Sequence, residues 1–184
     1  MDPFLLKEKG MGVVPLDLTK DETIVDAVNT VLEKEGRIDV LVNNAGYGSY
    51  GSVEEVSIEE AKRQFEVNIF GLARITQLVI PTMRKQKSGT IINVTSIAGY
   101  MGLPFRGLYS ATKGALEIIT EATSMEVKPF GVKVVNVAPG DFATNIAAGR
   151  YHTPVFEKSA YKENYQKNLD LMNAHVNSGM DPIE

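Results

Sequence analysis

The chain has 184 residues, 43% hydrophobic and 23% charged, enough apolar material for one domain with a sizeable core. Its 19 basic and 23 acidic residues include no Lys/Arg cluster, so there is no electrostatic footprint for nucleic acid or an anionic membrane. With no cysteine, disulfides, thiolate metal sites and cysteine nucleophiles are excluded, and His152 and His175 are too far apart in the chain to suggest a histidine-rich metal site.

Short β-branched runs alternate with longer helical patterns. Gly12–Leu16 reads as a strand, followed by a helix opened by Thr19 or Asp21 and running to about Lys34. Ile38–Asn43 is apolar on both faces, as expected for a strand buried between helix layers. Ser57, with Glu60 three residues later, forms a capping box that starts a long helix towards Met83. Thr90–Thr95 is the next strand, a helix covers about Tyr109 to Val127, and Gly131–Val137 is a further strand closed by Pro139 and Gly140. The remainder, 141–184, is polar, rich in Tyr and Asn, and reads as strand-free. Strand–helix alternation of this kind predicts βαβ units: an α/β, doubly wound parallel sheet with ligands at the C-terminal strand ends. Apolar runs of five or six residues fall far short of the roughly 20 needed to span a bilayer. The early charges of the N-terminus do not fit a signal peptide, so a cytoplasmic protein is expected.

Polar residues at three strand or helix ends stand out. Asn43-Asn44-Ala45-Gly46 follows the strand IDVLV and reads either as a plain turn or as backbone brought close to a ligand. Thr95-Ser96 ends TIINV, where a hydroxyl serves either a substrate carbonyl or the loop it caps. Tyr109 and Lys113 are four apart at a helix start and so share one face. Such a pair is either an ordinary surface contact or an ammonium that draws the phenol's pKa down towards useful proton transfer.

Together, Asn43-Asn44-Ala45-Gly46, Asn68, Ser96 thirteen residues before Tyr109, Tyr109-x-x-x-Lys113 and Pro139-Gly140-x-x-x-Thr144 resemble the short-chain dehydrogenase/reductase family over roughly Gly12 to Thr144. The resemblance implies a Rossmann-like fold and hydride transfer between NAD or NADP and a secondary alcohol, ketone or aldehyde. It implies Tyr109 as general acid/base, and Lys113 lowering the tyrosine pKa while holding the nicotinamide ribose. Ser96 would hydrogen-bond the substrate oxygen, and Asn68 would bind a water in a proton relay ending at Lys113. Asp17 and Leu18 match the family's adenine contacts, and Asn43, Ala45 and Gly46 its adenosine-ribose contacts. Pro139, Gly140 and Thr144 would meet the nicotinamide.

The chain departs from the family at its ends. No glycine-rich phosphate turn precedes Asp17, and the strands expected between Gly12–Leu16 and Ile38–Asn43 in the sheet, roughly 50 to 60 residues, are not seen. The C-terminal end also reads as short of a helix and a strand. The chain is therefore read as a single, partial dinucleotide-binding domain, and the residues that choose NAD or NADP fall outside it. Tyr100–Phe105 reads either as loop packing or as the lining of a hydrophobic substrate pocket. Within the expected substrate lid, residues 145–180, stand Tyr151, His152, Tyr161, Tyr165 and His175. The alternative to an oxidoreductase is a truncated, non-catalytic relative acting as a binding or scaffold protein. The resemblance also implies a homodimer or homotetramer, with Ile69, Phe70, Leu72, Ile118 and Ile119 on the candidate helix pair.

Overall fold

The computed structural model describes residues 8–140, 149–154 and 159–178. Within them, three parallel strands form one sheet: β1 (Val40–Asn43), β3 (Gly89–Val94) and β4 (Val132–Val137), in the order β1-β3-β4. Between β1 and β3 lie β2 (Ser49–Tyr50) and a long helical stretch. That stretch is α2 (Ile58–Phe65), a π-helical turn (Glu66–Phe70) and α3 (Gly71–Gln86). Ahead of β1 runs α1 (Asp21–Glu35), and α4 (Gly107–Val127) links β3 to β4. After β4 come β5 (Tyr151–His152), paired in parallel with β2, and α5 (Lys162–Asn177).

Register explains which face is buried. Leu41, Ile91 and Val134 align across the sheet, as do Asn43, Asn93 and Asn136. The first set packs with Val28 of α1, Val79 and Met83 of α3 and Val127 of α4. Each such fully buried side chain contributes about 1.5–3 kcal/mol relative to exposure. The opposite face, with Val40 and Val42 each 54% exposed and Val135 and Val137 nearly as open, carries no described helix. The expected burial of Ile38–Asn43 on both faces is thus corrected: three helices share one side, and the strand starts only at Val40.

Two further expectations fail for local reasons. Gly12–Leu16 makes no ladder, because no described strand lies beside it, and Val13 and Leu16 stay exposed. Residues 141–184 do contain a strand, β5, which finds its partner in β2 more than a hundred positions earlier in the chain. The helix starts fare better. Ser57 accepts a hydrogen bond from the Glu60 N–H at 3.1 Å, although the Glu60 carboxylate is turned to the Tyr47 hydroxyl at 2.8 Å instead of back to the cap. α1 is capped by Lys20 without a side-chain bond, and its end is set by Gly36 in the left-handed conformation. At Gly71 a Cβ would stand 2.6 Å from both the Cβ and the carbonyl oxygen of Leu18, so only glycine lets the Asp17–Leu18 turn dock on α3.

Candidate active site

Two glycines decide how close Ser96 comes to α4. Ser96 caps a 3₁₀ turn, Ile97–Gly99, by accepting the Ala98 N–H at 3.1 Å. A Cβ on Gly99 would lie 3.0 Å from the Gly114 nitrogen, and one on Gly114 would lie 3.0 Å from the Gly99 carbonyl. The turn and α4 therefore touch backbone to backbone, which sets the Ser96 hydroxyl beside the Tyr109 phenol, where it favours the phenolate. Of the two readings of Ser96, the loop cap is the one the structure shows.

Lys113 sits one turn into the same helix, 6% exposed. Its ammonium donates to the Val94 carbonyl at 2.8 Å and lies 6.0 Å from the Tyr109 ring centroid. Burial lowers its pKa to about 8. Tyr109 itself is held above the ordinary tyrosine value: burial dominates, against downward pulls from Ser96, Arg106 and Arg150. Helical spacing brings the ammonium near the ring, but its bond goes to the strand carbonyl, and desolvation governs the phenol.

Asn68 lies within the π-helical turn and is fully buried. Its Nδ2 donates to the Tyr47 carbonyl at 2.9 Å and to Thr112 Oγ1 at 3.1 Å, while Oδ1 accepts the Tyr47 N–H at 3.1 Å. The side chain thus clamps the loop after β1 as a strand would, and its two donors are engaged. Gln64, one helical turn earlier, adds a bond to the same carbonyl at 3.2 Å and takes the Ser49 hydroxyl at 2.9 Å. A π turn in a helix is frequently found at a functional site, and here it is what aims Asn68 at this loop.

The remaining expected residues spread along the strand ends. Asn43 turns inward: its amide donates to Asn93 Oδ1 at 2.8 Å and to Thr76 Oγ1 at 3.0 Å. Asn93 in turn donates to Thr120 Oγ1 at 2.7 Å. Ala45 and Gly46 are exposed beside Lys113, and a Cβ on Gly46 would stand 3.0 Å from Asn68 Oδ1 and 3.7 Å from Lys113 Nζ. Pro139 accepts the Ile97 N–H through its carbonyl at 3.1 Å, and Gly140 follows it in the open. Asp17 is exposed, its carboxylate lowered in pKa chiefly by hydrogen bonds from Thr19, and it shares a cleft of about 580 Å³ with Tyr47, Lys62, Arg63 and Val67. Leu18 points the other way, into the core with Ile24, Ile69 and Leu72. Thr144 lies outside the described residues.

Sequence reasoning missed Tyr47, Gln64 and Thr112, all of which act on the site through backbone or through Asn68. Thr112, fully buried, donates to the Tyr109 carbonyl at 2.8 Å, and its place inside Tyr-Ser-Ala-Thr-Lys was the available signal. Among the expected lid residues, His152 Nδ1 lies 2.9 Å from the Tyr165 hydroxyl, and Tyr161 donates to Glu54 at 2.6 Å. Tyr165 is also packed edge-on against Tyr50 and Phe105, while Tyr100 and Met101 are largely exposed.

A family model described as short chain dehydrogenase matches residues 6–154. The chain belongs to the short-chain dehydrogenase family. This family member is 38% identical over 168 residues to the 3-ketodihydrosphingosine reductase of Bacteroides thetaiotaomicron, a match covering 91% of this chain and 62% of that protein. A short-chain dehydrogenase from Streptomyces avermitilis superposes with a TM-score of 0.85 at 35% identity, covering 98% of this chain and 65% of that one. The 3-ketoacyl-(acyl-carrier-protein) reductase of Brucella melitensis, complexed with NADH, superposes with a TM-score of 0.71 at 32% identity, covering 74% and 59%. The chain thus spans about three fifths of these relatives' length. Its fold class is the Rossmann-like α/β class read from the sequence. Among the described residues no helix is long and apolar enough to cross a membrane.

Proposed function

We propose that the protein is an oxidoreductase that interconverts a small secondary alcohol and its ketone, or an aldehyde, by hydride transfer with NAD or NADP. The observation that carries this reading is the meeting of the Ser96 hydroxyl, the Tyr109 phenol and the buried Lys113 ammonium at one end of the sheet. The residues present fit a nicotinamide dinucleotide. Among the described residues Lys113 makes one hydrogen bond, to Val94, which leaves two N–H donors for ribose hydroxyls beside the side-chain-free Gly46. Gly46 leaves open backbone beside that ammonium, Ala45 and Gly140 are exposed, and Asp17 lines the cleft shared with Tyr47 for the adenine end. When bound, the cofactor supplies the hydride acceptor or donor.

The protein's part is to place the substrate oxygen and manage its proton. Ser96 holds that oxygen by hydrogen bond, and Tyr109 passes the proton. A phenol kept above its ordinary pKa is protonated at neutral pH, the form that reduction of a carbonyl needs. Oxidation needs the phenolate, so the oxidation rate is expected to climb through pH 9 while reduction stays level around pH ~7. Pre-steady-state rates across pH check this.

The deciding experiment is Tyr109→Phe. It is expected to lower turnover by about 10²–10⁴-fold while leaving NADH and NADPH binding, followed by nicotinamide fluorescence, unchanged. Activity within tenfold of the parent would remove Tyr109 from the chemistry. Cofactor binding with no turnover by the parent protein on any alcohol or ketone would favour the scaffold reading. Phe70 on the π-helical turn and Ile118 and Met125 on α4, all more than half exposed, support a paired-helix contact with a second copy. Ile69 and Leu72 belong to the core instead.

A further inference from the structure

Gln64 of α2 is fully buried, and both ends of its amide are used on the residues that flank Gly48. Its Nε2 donates to the Tyr47 carbonyl at 3.2 Å, and its Oε1 accepts the Ser49 hydroxyl at 2.9 Å. Gly48, between them, gives its own carbonyl to the Tyr151 N–H at 2.9 Å, so the loop entering β2 is fixed at three successive residues. The place a Gly48 Cβ would take lies 3.8 Å from Cδ2 of Tyr109, an ordinary contact distance. The backbone that Gln64 brackets is therefore the surface that the tyrosine ring faces.

The main chain of the same tyrosine is held from Asn68, four residues further along the helical stretch. Asn68 donates to Thr112 Oγ1 at 3.1 Å, and Thr112 donates to the Tyr109 carbonyl at 2.8 Å. The two amides meet on one acceptor, the Tyr47 carbonyl, which Asn68 reaches at 2.9 Å. Tyr109 thus has its backbone tied to Asn68 and its ring against a loop tied to Gln64. The helix and Thr112 fix where the side chain starts. Where the phenol oxygen ends depends on two further torsions, which only the packing around the ring can set. An apolar side chain of the same length would fill the space under the loop, but it would not tie the loop in register.

We propose that Gln64 is a positioning residue for proton transfer at Tyr109, holding Gly48 against the ring so that the phenol keeps one direction. The inference rests on the role given to Tyr109 above. Freeing the loop lets the ring turn, and a misplacement of about 1 Å at a reacting group can cost on the order of 10²-fold in rate.

The full chain with NADH or NADPH is assayed on ethyl acetoacetate. Gln64→Met, close in length but without the amide, is expected to lower kcat about tenfold while KM and cofactor Kd stay within threefold. Ser49→Ala breaks one of the two bonds and should lower kcat about threefold, and Ser49→Thr, which keeps the hydroxyl, should recover the parent value. Because both changes remove the same bond, the double variant should fall no further than Gln64→Met alone. Val79→Ala, in the core under the sheet, should lower the urea midpoint and leave kcat within twofold, which separates positioning from loss of stability. A second readout needs no turnover: 3-fluorotyrosine replaces the seven tyrosines, and the Tyr109 fluorine resonance is assigned with Tyr109→Phe. That resonance should shift in Gln64→Met and Ser49→Ala and return in Ser49→Thr, while Tyr100, bonded to Glu117, stays unmoved. A rise in KM at unchanged kcat, or a Tyr109 resonance that stays in place in both variants, overturns the proposal. So does a fall in kcat that Val79→Ala reproduces. If Tyr109→Phe abolishes turnover and Gln64→Met leaves kcat within threefold, this inference fails and the oxidoreductase reading stands. If the parent reduces no ketone at all, the oxidoreductase reading fails and the fluorine resonance alone decides what Gln64 holds.

Discussion

Around Tyr109 the inner and outer halves of the site are held by different forces. On the inner side, Thr76, Asn43, Asn93 and Thr120 form a chain of side-chain hydrogen bonds under the sheet, and Asn68 clamps Tyr47 from the helix. On the outer side, Tyr50, Phe105, Tyr161 and Tyr165 meet ring against ring, and the hydroxyls of Tyr50 and Thr153 find no partner among the described residues. Directional bonds in a low-dielectric interior define one geometry, whereas ring contacts tolerate small rotations. Tyr109, the group proposed to move a proton, is anchored to the first kind of structure. The groups that would choose the substrate belong to the second.

The contrast can be broken most forcefully at Asn68. Asn68→Ala strands the Tyr47 N–H in the interior and is expected to cost about 3 kcal/mol, read as a lower denaturant midpoint with an unchanged m-value. Lys113 should show the opposite sign. Its buried ammonium titrates near 8 in the fold against an ordinary 10.5. Between those values the unfolded chain keeps a proton that the native state gives up, so stability should rise as pH goes from about 8 to about 10.5. Lys113→Met is expected to flatten that rise and to stabilise the protein by roughly 2 kcal/mol near pH ~7, at the loss of the proposed activity. Urea melts at three pH values check both. The smallest effect belongs to the outer half: Tyr50→Phe removes a buried hydroxyl with no partner among the described residues, keeps the ring, and should stabilise by about 1 kcal/mol, a Tm rise of a few degrees. Destabilisation there would mean that the outer half is bonded as tightly as the inner.

The same division separates what could be read in advance. Thr90–Thr95 and Gly131–Val137 were legible because β-branched runs between turn residues need a covered face, and α4 because Tyr109 to Val127 keeps a helical rhythm. β2 and β5 were not, since two residues carry no period and their pairing joins distant parts of the chain. Gly12–Leu16 misled because β-propensity describes a surface waiting for a neighbour, and no described strand supplies one. At the site, spacing put Lys113 near Tyr109 correctly, but it says nothing about solvent. The raised phenol pKa follows from burial that no i, i+4 pattern encodes. Asn43 shows the converse: a turn-forming amide at a strand end became part of the interior, because Asn93 stands opposite it in register.

The π-helical turn at Glu66–Phe70 carries one more residue per turn than its flanks. An extra residue advances the angular phase of everything downstream by roughly 100°, the step between neighbours on an α-helix. The stretch from Ile58 to Gln86 is therefore two cylinders offset in rotation, one aiming Gln64 at the loop after β1, the other aiming Val79 and Met83 at the sheet. Deleting one residue within the turn would bring the two into phase. The outcome would be a straighter helix that must choose between the loop and the sheet, so this stretch tolerates substitution far better than any change in its length.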